Sequence, residues 1–240
     1  HRYIRRQRQM CIRDSASTYK IATERTKFAM PEIGVGLFPD VGFTSVIKDL
    51  PEGLGLYIML TASQLNASDM LFCNIVDSCL SYLKIEDFLL DVLKVAWQNE
   101  FNENLTLLDS LLKSSSYLRK AETFPASKIE KELEKIQAMT NEDNLMKVVD
   151  NIMSNAIEDE WFKKGKESLK KGSPTSAHLI WLQHLNSSNL SLKEVFNFEL
   201  NLAIQVTRIG DFKEGIRALI IDKDNNCLLY TSDAADECSG

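Results

Sequence analysis

The sequence has no surplus of positive charge: 28 Lys and Arg stand against 34 Asp and Glu, a formal net charge of −6 over 240 residues. Such a chain offers phosphate backbones little to pair with, so nucleic acid is not expected as a partner. It contains no run of about 18 apolar residues, so no segment is expected to span a membrane. It contains no CxxC, and of its five cysteines the pair Cys73 and Cys79 has no histidine nearby at a ligand spacing. That removes zinc-ribbon and dithiol chemistry and fits a reducing compartment. His178 and His184 lie six positions apart, which separates them around a helix, so neither a metal pair nor a Ser–His relay is supported. Internal repeats and low-complexity segments are absent too. What remains, 44% hydrophobic and 26% charged, has the composition of a globular protein of one or two domains.

The two ends read as foreign to the rest. Back-translated, Arg6 to Ser15 (RQRQMCIRDS) gives a strand whose complement encodes CLLYTSDAA, the residues that begin at Cys227. One strand encoding one tail while its complement encodes the other is the pattern of a sequencing adapter read through at both ends. Residues 1–15 and 227–240 are therefore expected to be adapter-derived and are set aside from fold reasoning. The expected division of the rest is an α/β core remnant over 16–75 and a helical region over 76–226, with the whole a fragment of a longer protein.

Along that native part, residues 18–24 (TYKIATE) read as a strand, followed by punctuation from Pro31, Gly34, Gly36, Pro39 and Gly42. Helical grammar then takes over. Ser68-Asp69 is expected to cap a short helix. Residues 84–98 place Ile85, Phe88, Leu89, Val92, Leu93 and Ala96 on one stripe. Ser127 to Gln137 interleaves Glu and Lys and predicts a solvated helix face. A helix ending at Lys171 is expected to stop at a left-handed Gly172. Ser173-Pro174 opens the next one. Ser191 with Glu194 forms a capping box for a helix to Ile209, and Asp211 with Glu214 repeats the device. Trp97, Trp161 and Trp181 are expected as core or interface anchors.

The segment FAMPEIGVGLFPDVG, Phe28 to Gly42, is the candidate for chemistry. Its two carboxylates, Glu32 and Asp40, each follow a proline and are separated by glycines, so they sit on fixed turns rather than on a helix face. Functional groups concentrate on such loops. The apolar neighbours Ile33, Val35, Leu37 and Phe38 could desolvate them and lift a carboxylate pKa into the range useful for acid and base work. Asp40 capping the helix that starts near Gly42, with Glu32 a solvated turn residue, is the plain alternative, and the residues alone leave both open.

The string IATERTKFAMPEIGVGLFPDVG resembles the crotonase (enoyl-CoA hydratase/isomerase) superfamily. Asp40, eight residues after Glu32, resembles the branch that hydrolyses 3-hydroxyisobutyryl-CoA, as do Ser173-Pro174-Thr175-Ser176, Glu199 and RIGDFKEGIRALIIDKD from Arg208 to Asp224. The resemblance implies a crotonase-like α/β spiral fold, mostly helical in the residues present, and thioester hydrolysis of a short 3-hydroxyacyl-CoA as in valine breakdown. Glu32 would act as nucleophile or as the base that aims water; Asp40 would hydrogen-bond the 3-hydroxyl or assist proton transfer. Pro31, Gly36, Leu37, Phe38 and Gly42 would bind substrate. The resemblance also implies acyl-CoA as partner, no cofactor beyond the substrate's own coenzyme A, no metal, and a mitochondrial setting, with a homo-oligomer left open.

In the family, one oxyanion donor comes from a Gly-rich turn upstream of everything present here, so the fragment itself is expected to be inactive. Phe43-Thr44-Ser45 and Phe72-Cys73 depart from the family's small residues, which bears on the acyl chain accepted. A hydratase or isomerase, and a non-catalytic structural subunit, stay open as alternatives.

Overall fold

The computed structural model describes residues 17–114, 124–208 and 211–224. The adapter-derived tails expected at 1–15 and 227–240, and the stop expected at Ile209 and Gly210, lie outside the described residues. Strands β1 (Ile21–Ala22) and β2 (Lys27–Phe28) precede a 3₁₀ turn at Glu32–Val35 and helices α1 (Phe43–Ile47) and α2 (Leu54–Thr61). Strand β3 (Leu65–Asn66), helix α3 (Ala67–Phe72) and strand β4 (Ser78–Cys79) follow, then α4 (Ile85–Val92), α5 (Phe101–Leu112), α6 (Lys128–Thr140) and α7 (Leu145–Ser154). The chain continues with α8 (Glu160–Lys171), α9 (Pro174–Asn186), α10 (Leu192–Arg208) and α11 (Asp211–Ile216), which passes into a π turn at Arg217–Ile221. Among the described residues two compact units interleave in sequence: one holds 17–28, 65–114 and 124–131, the other 29–64, 132–208 and 211–224.

In the first unit β1 pairs in parallel with β4, Ile21 opposite Ser78, and β2 pairs antiparallel with β3, Phe28 opposite Leu65. Helix α3 is capped by Asn66 rather than by the expected Ser68: its Oδ1 accepts the N–H groups of Ser68 and Asp69 at 2.8 and 3.0 Å. Asp69 answers by accepting Asn66 N–H at 2.9 Å, closing a capping box. The other Asp69 oxygen accepts Ser127 Oγ–H and Ile129 N–H, both at 2.9 Å, so one buried carboxylate ties the starts of α3 and α6. Leu80, Phe88 and Leu112 make a small core with Tyr19, Ile21 and Leu108 around it. Helix α4 ends at Val92, short of the expected residue 98. Only Phe88 of its apolar stripe is buried, Leu93 being 79% exposed, and a helix whose stripe is uncovered loses the packing that sustains it.

Helix α6 has the solvated face its charges predict, at Glu130, Lys131, Glu134 and Lys135, and a buried face that they do not. Ile129, Glu132, Ile136 and Met139 recur every three or four residues and are all buried. The Glu–Lys interleaving concealed this stripe, and Glu132 keeps a partner in Lys135 at 2.6 Å.

The second unit is built around α2, whose Leu54, Leu56, Tyr57, Ile58, Met59 and Leu60 are all buried. A helix apolar on every side belongs in an interior, and here α1, α8, α9 and the 3₁₀ turn pack on it. Trp161 on α8 stacks on Tyr57 with centroids 5.5 Å apart and donates its Nε1–H to the Gln64 carbonyl at 2.7 Å. Trp161→Phe keeps the ring contact and loses that bond, so we expect thermal melting to show a loss of about 1 kcal/mol. Gly172 is not the left-handed cap that the sequence suggests: its φ is −74°. It is needed for space, since a Cβ there would stand 2.7 Å from Ile33 Cγ1. The expected starts of the next two helices are present. Ser173 accepts Ser176 N–H at 3.0 Å beneath Pro174, and Ser191 N–H donates to Glu194 Oε2 at 2.8 Å.

Candidate active site

Glu32 and Asp40 lie on two turns joined by a buried stretch, all within the second unit. Pro31 starts the first turn, where Gly34 N–H and Leu37 N–H donate to the carbonyls of Pro31 and Glu32, each at 3.1 Å. Gly36 closes it at φ +72°, in the left-handed region open to glycine. Leu37 and Phe38, expected at the substrate, are buried within the unit, Phe38 at 0% exposure. Glu32 is half-buried with its Oε2 shielded from solvent, and Asp40 is also half-buried.

Two helices, α9 and α11, hold the Glu32 turn from behind. Ser173 N–H, at the start of α9, donates to Ile33 carbonyl at 2.9 Å. Ser173 Oγ–H donates to Asp211 Oδ2 at 2.5 Å, joining α9 to α11. Helix α11 meets the turn backbone to backbone: a Cβ on Gly36 would collide with the Asp211 and Phe212 main chain, and a Cβ on Gly215 with the Val35 carbonyl. Arg217, next along, pairs with Glu214, Asp222 and Asp224 at 2.7, 2.6 and 2.8 Å. The closing motif from Asp211 to Asp224 thus buttresses the Glu32 turn at one end and forms an ion cluster at the other.

The Asp40 turn is held differently. Val41 and Gly42 both take positive φ, +60° and +83°, and the helix amides that follow go to a distant side chain. Glu199 on α10 accepts Gly42 N–H at 2.6 Å, Thr44 N–H at 3.1 Å and Thr44 Oγ1–H at 2.8 Å. Gln183 on α9 donates to the Pro39 carbonyl at 2.5 Å and to Thr44 Oγ1 at 2.9 Å. Gly42, expected to face substrate, therefore has its N–H taken inside the protein, and Glu199 does the capping at α1 that Asp40 was a candidate to do. Gln183 was not singled out from sequence, and Glu199 and Thr44 entered there only as a mark of the resemblance and a departure from it, with no role at the site. The available signal was a glutamate four residues after Val195, on the buried register of an amphipathic helix.

Burial raises the Glu199 pKa above its ordinary 4.5, outweighing the donors of Gly42 and Thr44, and the charge of Asp40 adds to the rise. A carboxyl lifted by folding favours the folded state fully below the unfolded value and loses that contribution as pH rises through the raised one. The melting temperature of wild type relative to Glu199→Gln is therefore expected to fall as pH climbs from 4.5, measured by thermal scans across that window. Among the described residues, no cluster of three His, Cys, Asp or Glu side chains could hold a metal ion. Cys73 is buried and its thiol is pushed up to about 12, chiefly by desolvation.

A profile of the enoyl-CoA hydratase/isomerase family matches residues 14–236. The chain belongs to that family. It is similar to the mitochondrial 3-hydroxyisobutyryl-CoA hydrolases of Danio rerio, 32% identical over 208 residues, and Xenopus tropicalis, 32% identical over 209. Each alignment takes in 87% of this chain but 53% and 52% of the relative, so the chain spans about half the length of the curated relatives it matches. Among solved structures it is similar to an enoyl-CoA hydratase from Rhodobacter sphaeroides, with a TM-score of 0.71, 21% identity, and coverage of 92% of this chain and 59% of that one. A carnitinyl-CoA dehydratase from Mycobacterium thermoresistibile gives a TM-score of 0.72 at 20% identity, covering 94% of this chain and 62% of that one. At that identity the likeness establishes the fold: this is a crotonase-family chain, mostly helical in its described residues.

Proposed function

We propose that the full-length protein hydrolyses a short 3-hydroxyacyl-CoA thioester, 3-hydroxyisobutyryl-CoA, to the free acid and CoA. The observation that carries this reading is the arrangement of Glu32 and Asp40 on two turns fixed from behind by α9, α10 and α11, in a chain 32% identical to relatives bearing that hydrolase name. Glu32 either attacks the thioester carbonyl, giving a mixed anhydride that water then hydrolyses to the free acid and the Glu32 carboxylate, or takes a proton from the water that attacks directly; in both cases the C–S bond breaks and the departing thiolate takes a proton that comes from that water to become the CoA thiol. Asp40 hydrogen-bonds the 3-hydroxyl of the acyl group, so the substrate enters with its reacting carbonyl already oriented. Oxyanion donors for the developing charge would come in part from chain upstream of this segment. The relatives' names place them in mitochondria, and we assign this protein the same location.

The test is release of thiol by the full-length protein from 3-hydroxyisobutyryl-CoA, with isobutyryl-CoA as the comparison lacking the hydroxyl. Thiol release that favours the hydroxylated substrate supports the reading. An acyl chain dehydrated on an intact thioester, the reverse of hydration, would assign the protein to the hydratases, and binding without any turnover would make it a non-catalytic subunit.

A further inference from the structure

We propose that Glu199 is a positioning residue for Asp40: by binding Gly42 and Thr44 it holds the turn that decides where the Asp40 carboxylate stands. The inference rests on the hydrolase reading and adds to it the group that sets recognition of the 3-hydroxyl.

The argument begins with the backbone. Val41 has φ +60°, a region that β-branched residues rarely occupy, and Gly42 follows at +83°. Such a conformation persists only where the surroundings over-determine it. Here they do so on both sides of Asp40. The Pro39 carbonyl before it accepts from Gln183, the Gly42 N–H after it donates to Glu199, and Phe43 N–H donates to the Asp40 carbonyl at 3.2 Å. Phe196, one turn before Glu199 on α10, presses on the same place: a Cβ on Gly42 would lie 3.3 Å from its Cζ. Glu199 is 4% exposed and Gln183 and Thr44 are 0% exposed, so water does not substitute for these bonds.

The chemistry asks for a carboxylate. Three donors converge on two oxygens, Gly42 N–H on Oε2 and both Thr44 groups on Oε1. Glutamine can present one acceptor oxygen and must turn its amide N–H₂ toward the other donor. In a buried site that opposition forces the turn to shift, and Asp40 moves with it.

The experiment uses the full-length enzyme and compares kcat/KM for thiol release from 3-hydroxyisobutyryl-CoA with that from isobutyryl-CoA. Glu199→Gln is expected to lower the ratio of the two by about tenfold or more, since a misplacement of about 1 Å can cost that much. A role in stability alone would lower the melting temperature and leave the ratio unchanged, which would overturn the proposal. If Glu199→Gln does not fold, Thr44→Val takes one donor from the same carboxylate and must lower the ratio, while Thr44→Ser, which keeps the hydroxyl, must retain it. An unchanged ratio in Thr44→Val is equally contrary. Wild-type enzyme that hydrolyses both thioesters without preference also overturns the proposal and leaves hydrolysis standing. Wild type that releases CoA from neither overturns the hydrolase reading itself.

Discussion

Glu32→Gln in the full-length enzyme is expected to lower kcat for CoA release by about three orders of magnitude, within the range for removing an acid–base group. The substitution preserves shape and volume. It leaves intact the bonds that hold the turn, which run through the main chain at Pro31, Glu32 and Ile33, so melting temperature and KM should stay close to wild type. An amide is neither the nucleophile nor the base that thioester hydrolysis needs. A fall in kcat with KM unchanged identifies an interaction made in the transition state. Thiol-release kinetics and thermal melts of the two proteins check it. A variant that keeps a tenth or more of the activity would move the chemistry to another residue.

Gly36→Ala carries the second large effect, on stability. Its φ of +72° strains any L side chain, and the added Cβ would meet the main chain of Asp211 and Phe212, which cannot swing aside as a flexible side chain can. Left-handed strain of about 1–2 kcal/mol and overpacking of about 1–3 kcal/mol give an expected loss of about 2–5 kcal/mol in chemical denaturation. Gly34, two residues earlier, is the control: a Cβ there meets nothing within 4 Å, so Gly34→Ala should stay within about 0.5 kcal/mol of wild type. Equal losses at the two positions would mean that α11 does not press on the Glu32 turn.

The local punctuation of this chain was legible in its sequence. Ser173-Pro174 opens α9 and Ser191 with Glu194 opens α10, because a cap depends on residues three or four apart and needs nothing from the rest of the fold. The prolines and glycines around Glu32 and Asp40 marked fixed turns for the same reason. What failed depended on distant chain. Helix α8 does stop at Gly172, but the glycine serves the space that Ile33 fills and not a left-handed φ. The charged run in α6 hid the buried Ile129, Ile136 and Met139, because charges facing solvent say nothing of the opposite face. Glu199 shows the limit most clearly. Its register on a buried face was visible, but its partners Gly42 and Thr44 lie more than 150 residues away, |i−j| being 157 and 155, and a single sequence does not disclose such a pairing.

The most direct measurement is product analysis by mass spectrometry of full-length protein incubated with 3-hydroxyisobutyryl-CoA in heavy-oxygen water. The account predicts free CoA and 3-hydroxyisobutyrate carrying solvent oxygen in its carboxyl group, formed by wild type and not by Glu32→Gln. An intact thioester with an altered acyl chain, or hydrolysis that survives in Glu32→Gln, would contradict it.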